Sequence, residues 1–344
     1  MTAFTIALDW TPNTNHTGFY VAKHKGWYAE AGLDVTLLSP HVDQYKTTPA
    51  SRLVDGSATF AIAPSETVVS YATQPEGSAK PKITAVAAVL QGSTSAVVTL
   101  KSGGIDRPSK LEGKNYASYG ARYEGRIIQE MIKNDGGSGD YKESTPPMLG
   151  IWNTLLKGEA DATWVFMGWE GIEAKRKGVE LNSFALEDYG VPHGYSIVLA
   201  ADPAKLSGKE EQVKKFMDAS KRGYEFAAKN PTEAADILVT EVEKDYAAVP
   251  LPTPLEKEMV CESQAYLSNY YLDKNGSWGT MEESRWSTFL EWLSKSGLLT
   301  EKVQSREPVE GISTSLDGLR QGDAGKPVPL PSIKIGELFT NAFL

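Results

Sequence analysis

The sequence predicts an α/β protein of two lobes, and three observations lead to this prediction. Short apolar runs alternate with amphipathic stretches, which is typical of strands and helices that build parallel sheets. The chain has 344 residues, which is enough for two domains. A second series of strand-like segments starts at about Lys101, and the chain becomes mostly helical after Pro203. We therefore expect two α/β lobes, with crossings near residues 100 and 200.

Composition excludes several classes of protein. Hydrophobic residues make up 41% and charged residues 23% of the chain, which is ordinary for a globular protein. The net charge of -9, without a basic patch, argues against a nucleic-acid partner or an anionic membrane surface. The single cysteine, Cys261, cannot form an internal disulfide. No leader or membrane span is evident, so we expect a cytoplasmic protein if Met1 is the native start and an exported one otherwise.

The first lobe is expected to consist of strands joined by short helices. Val, Ile, Phe and Ala dominate the predicted strands, and Gly, Asp and Pro mark the turns between them. The predicted strands are residues 4–8, 35–38, 59–63, 83–90 and 96–100, and the predicted helices include residues 18–25 and 51–54 and begin again after 64–66. This lobe is predicted to comprise residues 1–100 and 201–344.

The second lobe is predicted to comprise residues 101–200. Its expected strands are residues 114–118, 162–166 and 196–200, with a further segment at 181–184, and its expected helices are residues 124–133, 151–157 and a segment ending near 178. The lobes are expected to hinge at residues 99–102 and 199–202. The segment from Pro308 is rich in Gly and Pro, so we expect an extended tail that wraps the first lobe.

This plan is that of the type-II periplasmic-binding-protein fold, in which a ligand cleft lies between two lobes. The stretch 9–20, DWTPNTNHTGFY, joins a predicted strand to a predicted helix and contains turn formers, hydrogen-bonding side chains and aromatic residues. Such a loop opens at the carboxyl edge of a parallel sheet, where open α/β folds bind ligands. We expect closure of the lobes to bury the ligand between them.

Several motifs resemble those of the NMT1/THI5-like family. The opening segments DWTPNTNH (9–16) and KGWYAEAGLDV (25–35) carry most of the resemblance, followed by DGSATF (55–60), LEGK (111–114), GEADA (158–162) and WEGIE (169–173). The resemblance covers about the first 230 residues. One branch of this family contains transporter subunits that bind thiamin-pyrimidine precursors, and another is the fungal pyrimidine synthase.

The resemblance also identifies what this chain lacks relative to the synthase branch. That branch uses a lysine that holds pyridoxal phosphate, a histidine consumed as substrate and a cysteine-rich iron site. In an ungapped alignment the lysine falls at Ile62 and the histidine at Glu66, and no cysteine lies in the segment 190–197. A Schiff base needs the lysine amine, so binding without catalysis is the first hypothesis. A pyrimidine-synthesising enzyme that uses other residues is the second.

An aminopyrimidine needs aromatic walls and a carboxylate or amide at its polar edge. The resemblance implies that Trp10 stacks on the ring, that Glu170 accepts from the amino group and that Asn13 bonds the ring substituent. Helix starts also favour Glu66 and Glu170 without any ligand. The full set of candidate ligand residues is Trp10, Asn13, Asn15, His16, Tyr20, Ser65, Glu66, Trp164, Trp169, Glu170, Tyr189 and Tyr195.

A separate glycine-containing loop precedes the helix predicted at 124–133. Backbone N–H groups of Gly120 and Ala121, with the guanidinium of Arg122, can hold a phosphate or carboxylate. The expected partner is therefore a small aminopyrimidine or its phosphate, and a transporter partner is expected only if the protein is exported. A sulfonate or another small aromatic ligand is a third hypothesis. Catalytic and metal-binding signatures are missing from the sequence, and His193 has no assigned role, so no metal or cofactor is predicted.

Overall fold

Two five-stranded sheets with surrounding helices form the fold in the computed structural model, which describes residues 1–73, 82–146, 149–192, 194–302, 304 and 313–344. The strands are β1 (Thr2–Ala7), β2 (Leu33–Leu38), β3 (Phe60–Ala63), β4 (Thr84–Ala88), β5 (Ser95–Leu100), β6 (Asn115–Ala117), β7 (Lys142–Ser144), β8 (Ala162–Phe166), β9 (Leu181–Phe184) and β10 (Val198–Ala201). The predicted two-lobed α/β fold is confirmed.

Helices cover both sheets and form most of the chain after β10, as the sequence predicts. They are α1 (Thr17–His24), α2 (Trp27–Glu30), α3 (Pro49–Asp55), α4 (Ser65–Ala72), α5 (Glu124–Asn134), α6 (Ile172–Arg176), α7 (Pro203–Leu206), α8 (Glu210–Lys229), α9 (Pro231–Asp245), α10 (Lys257–Leu267), α11 (Glu283–Lys295), α12 (Leu316–Arg320) and α13 (Ile335–Leu338). Two single π-helical turns, Ile151–Leu155 and Met167–Gly171, occur in the second lobe. None of the helices in the described ranges is long and apolar enough to cross a membrane.

The first sheet has the strand order β2-β1-β3-β10-β4. Strand β1 pairs in parallel with β2 and β3, so the carboxyl ends of β1 and β3 lie at one edge. Aromatic packing holds the sheet to α8, because Phe216 stacks on Phe60 at 4.5 Å and meets Phe4 edge-on at 5.8 Å. Helix α1 lies against α8 so closely that a Cβ atom on Gly223 would come within 2.0 Å of the Gly18 carbonyl oxygen. This packing fixes the start of α1, and with it the loop that precedes it.

The second sheet has the strand order β7-β6-β8-β5-β9, and β6 pairs in parallel with β7 and β8. The carboxyl ends of β6 and β8 therefore share one edge. Strands β5 and β9 run antiparallel to their neighbours and close the other side of the sheet. This arrangement brings two strand-to-helix loops, residues 118–123 and 167–171, to the edge of the second lobe.

The predicted lobe boundaries are wrong where two strands change sheet. Residues 95–100 were assigned to the first lobe, yet β5 pairs with β8 and β9 of the second sheet. Residues 198–200 were assigned to the second lobe, yet β10 pairs with β3 and β4 of the first sheet. The connections between the sheets are residues 89–94 and 185–197. The predicted hinges at 99–102 and 199–202 thus include strand residues, whose ladder hydrogen bonds resist changes in backbone angles.

The carboxyl-terminal segment wraps the first lobe, as the sequence predicts, over residues 335–344. Phe339 bridges Ala85 of β4 and stacks on Trp286 of α11 at 5.8 Å. The start of the predicted tail, residues 308–312, lies outside the described residues. Gln304, ahead of this segment, contacts the second lobe and donates to the Glu143 carboxylate at 2.5 Å. The chain from Gln304 onwards therefore touches both lobes.

Candidate functional site

The candidate site lies where the carboxyl edges of the two sheets face each other. The loops after β1 and β3 come from the first lobe, and the loops after β6 and β8 come from the second. Trp10 after β1 meets Tyr119 after β6 edge-on at 5.8 Å between ring centroids. This contact joins the lobes at the position where ligands of open α/β sheets bind.

The loop after β1 is held by its own side chains. The side-chain oxygen of Asn13, Oδ1, accepts from the backbone N–H of Asn15, and the side-chain Nδ2 of Asn13 donates to the Thr11 carbonyl. The Nδ1 atom of His16 accepts from the Asn13 N–H at 3.2 Å, so the ring proton is on Nε2 and is donated to Asp9 at 2.8 Å. His16 is thus buried and orients a carboxylate.

Core residues anchor this loop from behind. The hydroxyl of Tyr224 donates to the Asn15 carbonyl at 2.8 Å, and that of Tyr271 donates to the Thr14 carbonyl at 2.6 Å. The Thr14 hydroxyl bonds Ser263 of α10 at 2.5 Å. Sequence reasoning treated Asn13, Asn15 and His16 as ligand contacts, but much of their hydrogen bonding shapes the loop. A loop fixed in this way loses little entropy when a ligand binds.

Trp10 is half-buried and lies between two tyrosines. Besides Tyr119 it contacts Tyr45 at 5.0 Å between ring centroids. Tyr45 and the preceding Gln44 both have φ near +60°, which is uncommon for residues with a side chain. The sequence gives no signal for this strained turn, so it does not predict Tyr45 as a site residue. Tyr119 lies in a predicted loop but was given no role. Together the three rings form an aromatic wall at the cleft.

Glu170 lies in the π-helical turn after β8. Its Oε2 atom accepts from the Phe166 N–H at 3.1 Å. Burial raises the pKa of this carboxyl to about 7, with further contributions from Glu173 and from Asp9 across the cleft. The charge of Asp9 in the first lobe therefore acts on Glu170 in the second. At neutral pH this carboxyl is available both as a hydrogen-bond donor and as an acceptor.

Ser65 and Glu66 begin α4 at the end of β3. The Ser65 hydroxyl accepts from the Tyr195 N–H at 3.1 Å and donates to Glu66 at 3.3 Å. Burial raises the Glu66 pKa to about 7, and Glu124 of the second lobe raises it further. Tyr195 itself is buried, and its hydroxyl accepts from the Glu282 N–H at 2.8 Å. Tyr195 thus supports Ser65 from behind.

The raised pKa of Glu66 predicts a pH-dependent effect on stability. Because its pKa in the folded chain is above the ordinary value of 4.5, the stability that this group contributes is complete below pH 4.5 and lost as the pH rises through about 7. We expect Glu66→Gln to be more stabilising at pH 8 than at pH 5, with a difference of about 1 kcal/mol in the free energy of unfolding. Urea unfolding at both pH values measures this difference. Glu243→Gln, on the exposed face of α9, is the control, and equal behaviour of the two variants would contradict the prediction.

The loop after β6, predicted as an anion site, is occupied by the protein's own groups. The Gly120 N–H donates to the Ser118 hydroxyl at 2.8 Å, and the Ala121 N–H donates to Glu124 at 3.3 Å. Arg122 is buried and donates to the Ser70 carbonyl, the Thr73 hydroxyl and the Thr300 carbonyl at 2.6–2.7 Å. Its Nε atom is the donor without a partner among the described residues. Arg122 mainly ties the second lobe to the first, because these partners lie in α4 and after α11.

Arg122→Lys tests this tie. A lysine keeps the charge but has no planar fork to reach three acceptors. We expect the free energy of unfolding to fall by about 1–3 kcal/mol, because buried acceptors lose their donors. Arg222→Lys is the matched control, since Arg222 is exposed and its guanidinium comes no closer than 3.8 Å to the Glu30 carboxylate. Denaturant unfolding of both variants measures the effect, and an Arg122→Lys variant as stable as the wild type would refute the tie.

Two candidate tyrosines, Tyr20 and Tyr189, lie away from the aromatic wall. Tyr20 is buried against Tyr246 of α9, and burial and that contact raise its pKa well above its usual range, so it belongs to the core. Tyr189 contacts Phe184 and its carbonyl bonds Asn134, the last residue of α5. The cleft is at the first residue of α5, about 15 Å away along the helix. The structure therefore does not bring Tyr20 and Tyr189 together with the aromatic wall.

The two candidate tryptophans of the second lobe, Trp164 and Trp169, are half-buried. Trp169 packs against the hydrophobic core of the first lobe, so it lies at the junction of the lobes. Trp164 pairs with Val97 within the sheet and packs against the core that contains Phe184. His193 lies outside the described residues. Among the residues that the structure describes, His, Cys, Asp and Glu form no group of three suited to a metal ion.

Comparison with known proteins establishes the family. The model of the NMT1/THI5-like family matches residues 13–234. The chain belongs to this family. A formylaminopyrimidine-binding protein of Halalkalibacterium halodurans is 28% identical to this NMT1/THI5-like chain over 311 residues, covering 90% of this chain and 89% of that protein. The 4-amino-5-hydroxymethyl-2-methylpyrimidine phosphate synthase of Aspergillus parasiticus is 25% identical over 328 residues, covering 91% and 88%.

A solved structure confirms the fold. The periplasmic nitrate-binding protein NrtA of Synechocystis PCC 6803 superposes with a TM-score of 0.62 and 14% identity, covering 97% of this chain and 91% of that chain. The NMT1/THI5-like chain therefore has the fold of a periplasmic binding protein. Ile62, where the sequence alignment puts the synthase lysine, is a fully buried residue of β3.

Proposed function

We propose that this protein binds a small aminopyrimidine between its lobes and does not convert it. The observation that carries the proposal is the aromatic wall of Trp10, Tyr45 and Tyr119, which lies at the carboxyl edges of the sheets where the loop after β8 places Glu170. An aromatic ring stacks on such a wall. The 28%-identical relative is named for binding a formylaminopyrimidine, which supports the same ligand class here.

Glu170 matches the polar edge of this ligand. An aminopyrimidine presents an amino donor beside a ring-nitrogen acceptor. A carboxyl that carries a proton near neutral pH accepts from the amino group with one oxygen and donates to the ring nitrogen with the other. The pKa of Glu170, about 7, permits this paired hydrogen bond. Asn13 keeps one amide hydrogen and one lone pair beyond its bonds within the loop, so it remains a candidate for the ring substituent.

An enzyme related to the synthase is the second candidate, supported by the 25%-identical synthase. The buried Ile62 offers no amine for a Schiff base, and Glu66 stands at the position of the histidine. These residues favour binding over synthesis. A sulfonate or similar anion is less favoured, because Arg122 donates to protein acceptors.

A transporter is the partner that a binding protein of this kind would serve. We propose an importer that receives the ligand when the lobes open, which implies action outside the cytoplasmic membrane. The nitrate-binding protein of the same fold is periplasmic, and the cytoplasmic location expected from the sequence gains no support from the fold. Co-purification of the full chain with membranes that contain its transporter tests this partnership, and binding without any membrane partner would leave a carrier or sensor role.

Thermal unfolding against a small panel tests the ligand class. The panel contains hydroxymethyl- and formylamino-pyrimidines, thiamin, pyridoxal phosphate and an alkyl sulfonate. A ligand at one hundred times its dissociation constant adds about 2.7 kcal/mol to stability. We expect a clear shift with the aminopyrimidines. A shift with pyridoxal phosphate alone would favour the enzyme, and a shift with the sulfonate alone would favour an anion binder.

A further inference from the structure

We propose that Glu124 makes this site select the unphosphorylated aminopyrimidine over its phosphate ester. The inference rests on the proposed function and adds a residue that determines specificity. Glu124 is the first residue of α5, at the end of the loop that follows β6. A loop of this kind, which precedes a helix, offers backbone N–H groups to an anion. In this protein the Glu124 carboxylate takes that place.

The Glu124 carboxylate is bound by three donors. Its Oε1 atom accepts from the Tyr116 hydroxyl at 2.7 Å and from the Tyr119 N–H at 3.2 Å. Its Oε2 atom accepts from the Ala121 N–H at 3.3 Å. The next N–H group, that of Gly120, is donated to Ser118. A phosphate that approached this loop would find its donors already engaged with the carboxyl of Glu124.

A second carboxyl faces this one from the other lobe. Glu66 begins α4, and the charge of Glu124 acts on its carboxyl, so the two groups lie near each other across the cleft. Burial raises the pKa of Glu124 to about 7, and Glu143, after α5, raises it further. The dianion of a phosphate ester would be repelled by the ionised fraction of these carboxyls, and burial weakens the screening of that repulsion.

Arg122, the cation of this loop, does not offset this repulsion. Arg122 directs both terminal nitrogens to acceptors in α4 and after α11, and only its buried Nε atom lacks a partner among the described residues. The loop nevertheless borders the site, because Tyr119 donates its N–H to Glu124 while its ring contacts Trp10. A ligand stacked on Trp10 would therefore extend its substituent towards Glu124.

The test compares two ligands that differ only in the phosphate. Isothermal titration of the full chain with the hydroxymethyl aminopyrimidine and with its phosphate ester gives the ratio of their dissociation constants. We expect the wild type to bind the alcohol at least tenfold more tightly. Glu124→Gln removes the charge, and we expect the ratio to fall at least tenfold. Glu130→Gln removes a charge from the same helix beside Lys133, away from the loop, and should leave the ratio unchanged.

The outcomes separate this inference from the proposed function. Equal or tighter binding of the phosphate ester by the wild type would overturn the selection while confirming aminopyrimidine binding. A ratio unchanged in Glu124→Gln would overturn the role of Glu124. If Glu124→Gln does not fold, Glu66→Gln provides the same comparison from the other lobe. If the wild type binds neither ligand, the proposed function fails and this inference fails with it.

Discussion

Replacement of Trp10 by alanine is expected to weaken aminopyrimidine binding by about 30-fold, which corresponds to about 2 kcal/mol. The indole supplies the middle of the aromatic wall, between Tyr45 and Tyr119. Alanine removes the stacking surface and also leaves the two tyrosines without their common contact. Isothermal titration of wild type and variant measures the loss.

Two further variants make this result specific. Trp10→Phe keeps an aromatic face and should recover most of the affinity. Trp27→Ala removes an indole of α2, which precedes β2 and so lies at the amino edge of the first sheet, where Trp27 meets Phe226 edge-on at 6.3 Å, and should leave binding unchanged. A loss of less than about 0.5 kcal/mol in Trp10→Ala would be too small for a stacking platform.

Replacement of Glu170 by alanine is expected to weaken binding by about 100-fold, since two hydrogen bonds at a buried polar edge contribute about 3 kcal/mol. The reason is the paired contact with the amino group and the ring nitrogen. Glu180→Ala is the control, because Glu180, just before β9, forms an exposed ion pair with Lys101, just after β5. A Glu170→Ala variant with wild-type affinity would remove Glu170 from the site.

The same carboxyl predicts how affinity depends on pH. Below its pKa of about 7 Glu170 already holds the proton that the ring nitrogen accepts, and above it binding must take up a proton. Affinity should therefore fall about tenfold per pH unit above neutrality. A glutamine offers an amide donor and a carbonyl acceptor at any pH, so Glu170→Gln should bind with little dependence on pH. A wild type whose affinity is constant from pH 6 to pH 9 would contradict the proton-bearing role.

Local sequence patterns were sufficient to predict the strands other than β7, and the loops at their ends. Turn formers follow β1, β3 and β8, and Trp10, Ser65 and Glu170 lie in loops or helix starts because the carboxyl ends of parallel strands share an edge. The sheet to which a strand belongs depends on distant pairing, which no local pattern contains. The lobe boundaries were wrong at β5 and β10 for this reason.

The role of a side chain was harder to predict than its type. Arg122 has the donors of an anion site, but its acceptors include Ser70 and Thr300, which are 52 and 178 residues away in sequence. Tyr45 carries no sequence signal, because its left-handed backbone is imposed by the surrounding structure. Tyr189 lies in a loop as predicted, but that loop is at the far end of α5.

Isothermal titration of the wild-type chain with formylaminopyrimidine at pH 7 tests the central claim most directly. The account predicts one ligand per chain, bound with a dissociation constant in the micromolar range or below, about -8 kcal/mol or more favourable. It also predicts that the ligand emerges from the titration chemically unchanged. The absence of saturable binding, or conversion of the ligand during the titration, would contradict an aminopyrimidine-binding protein.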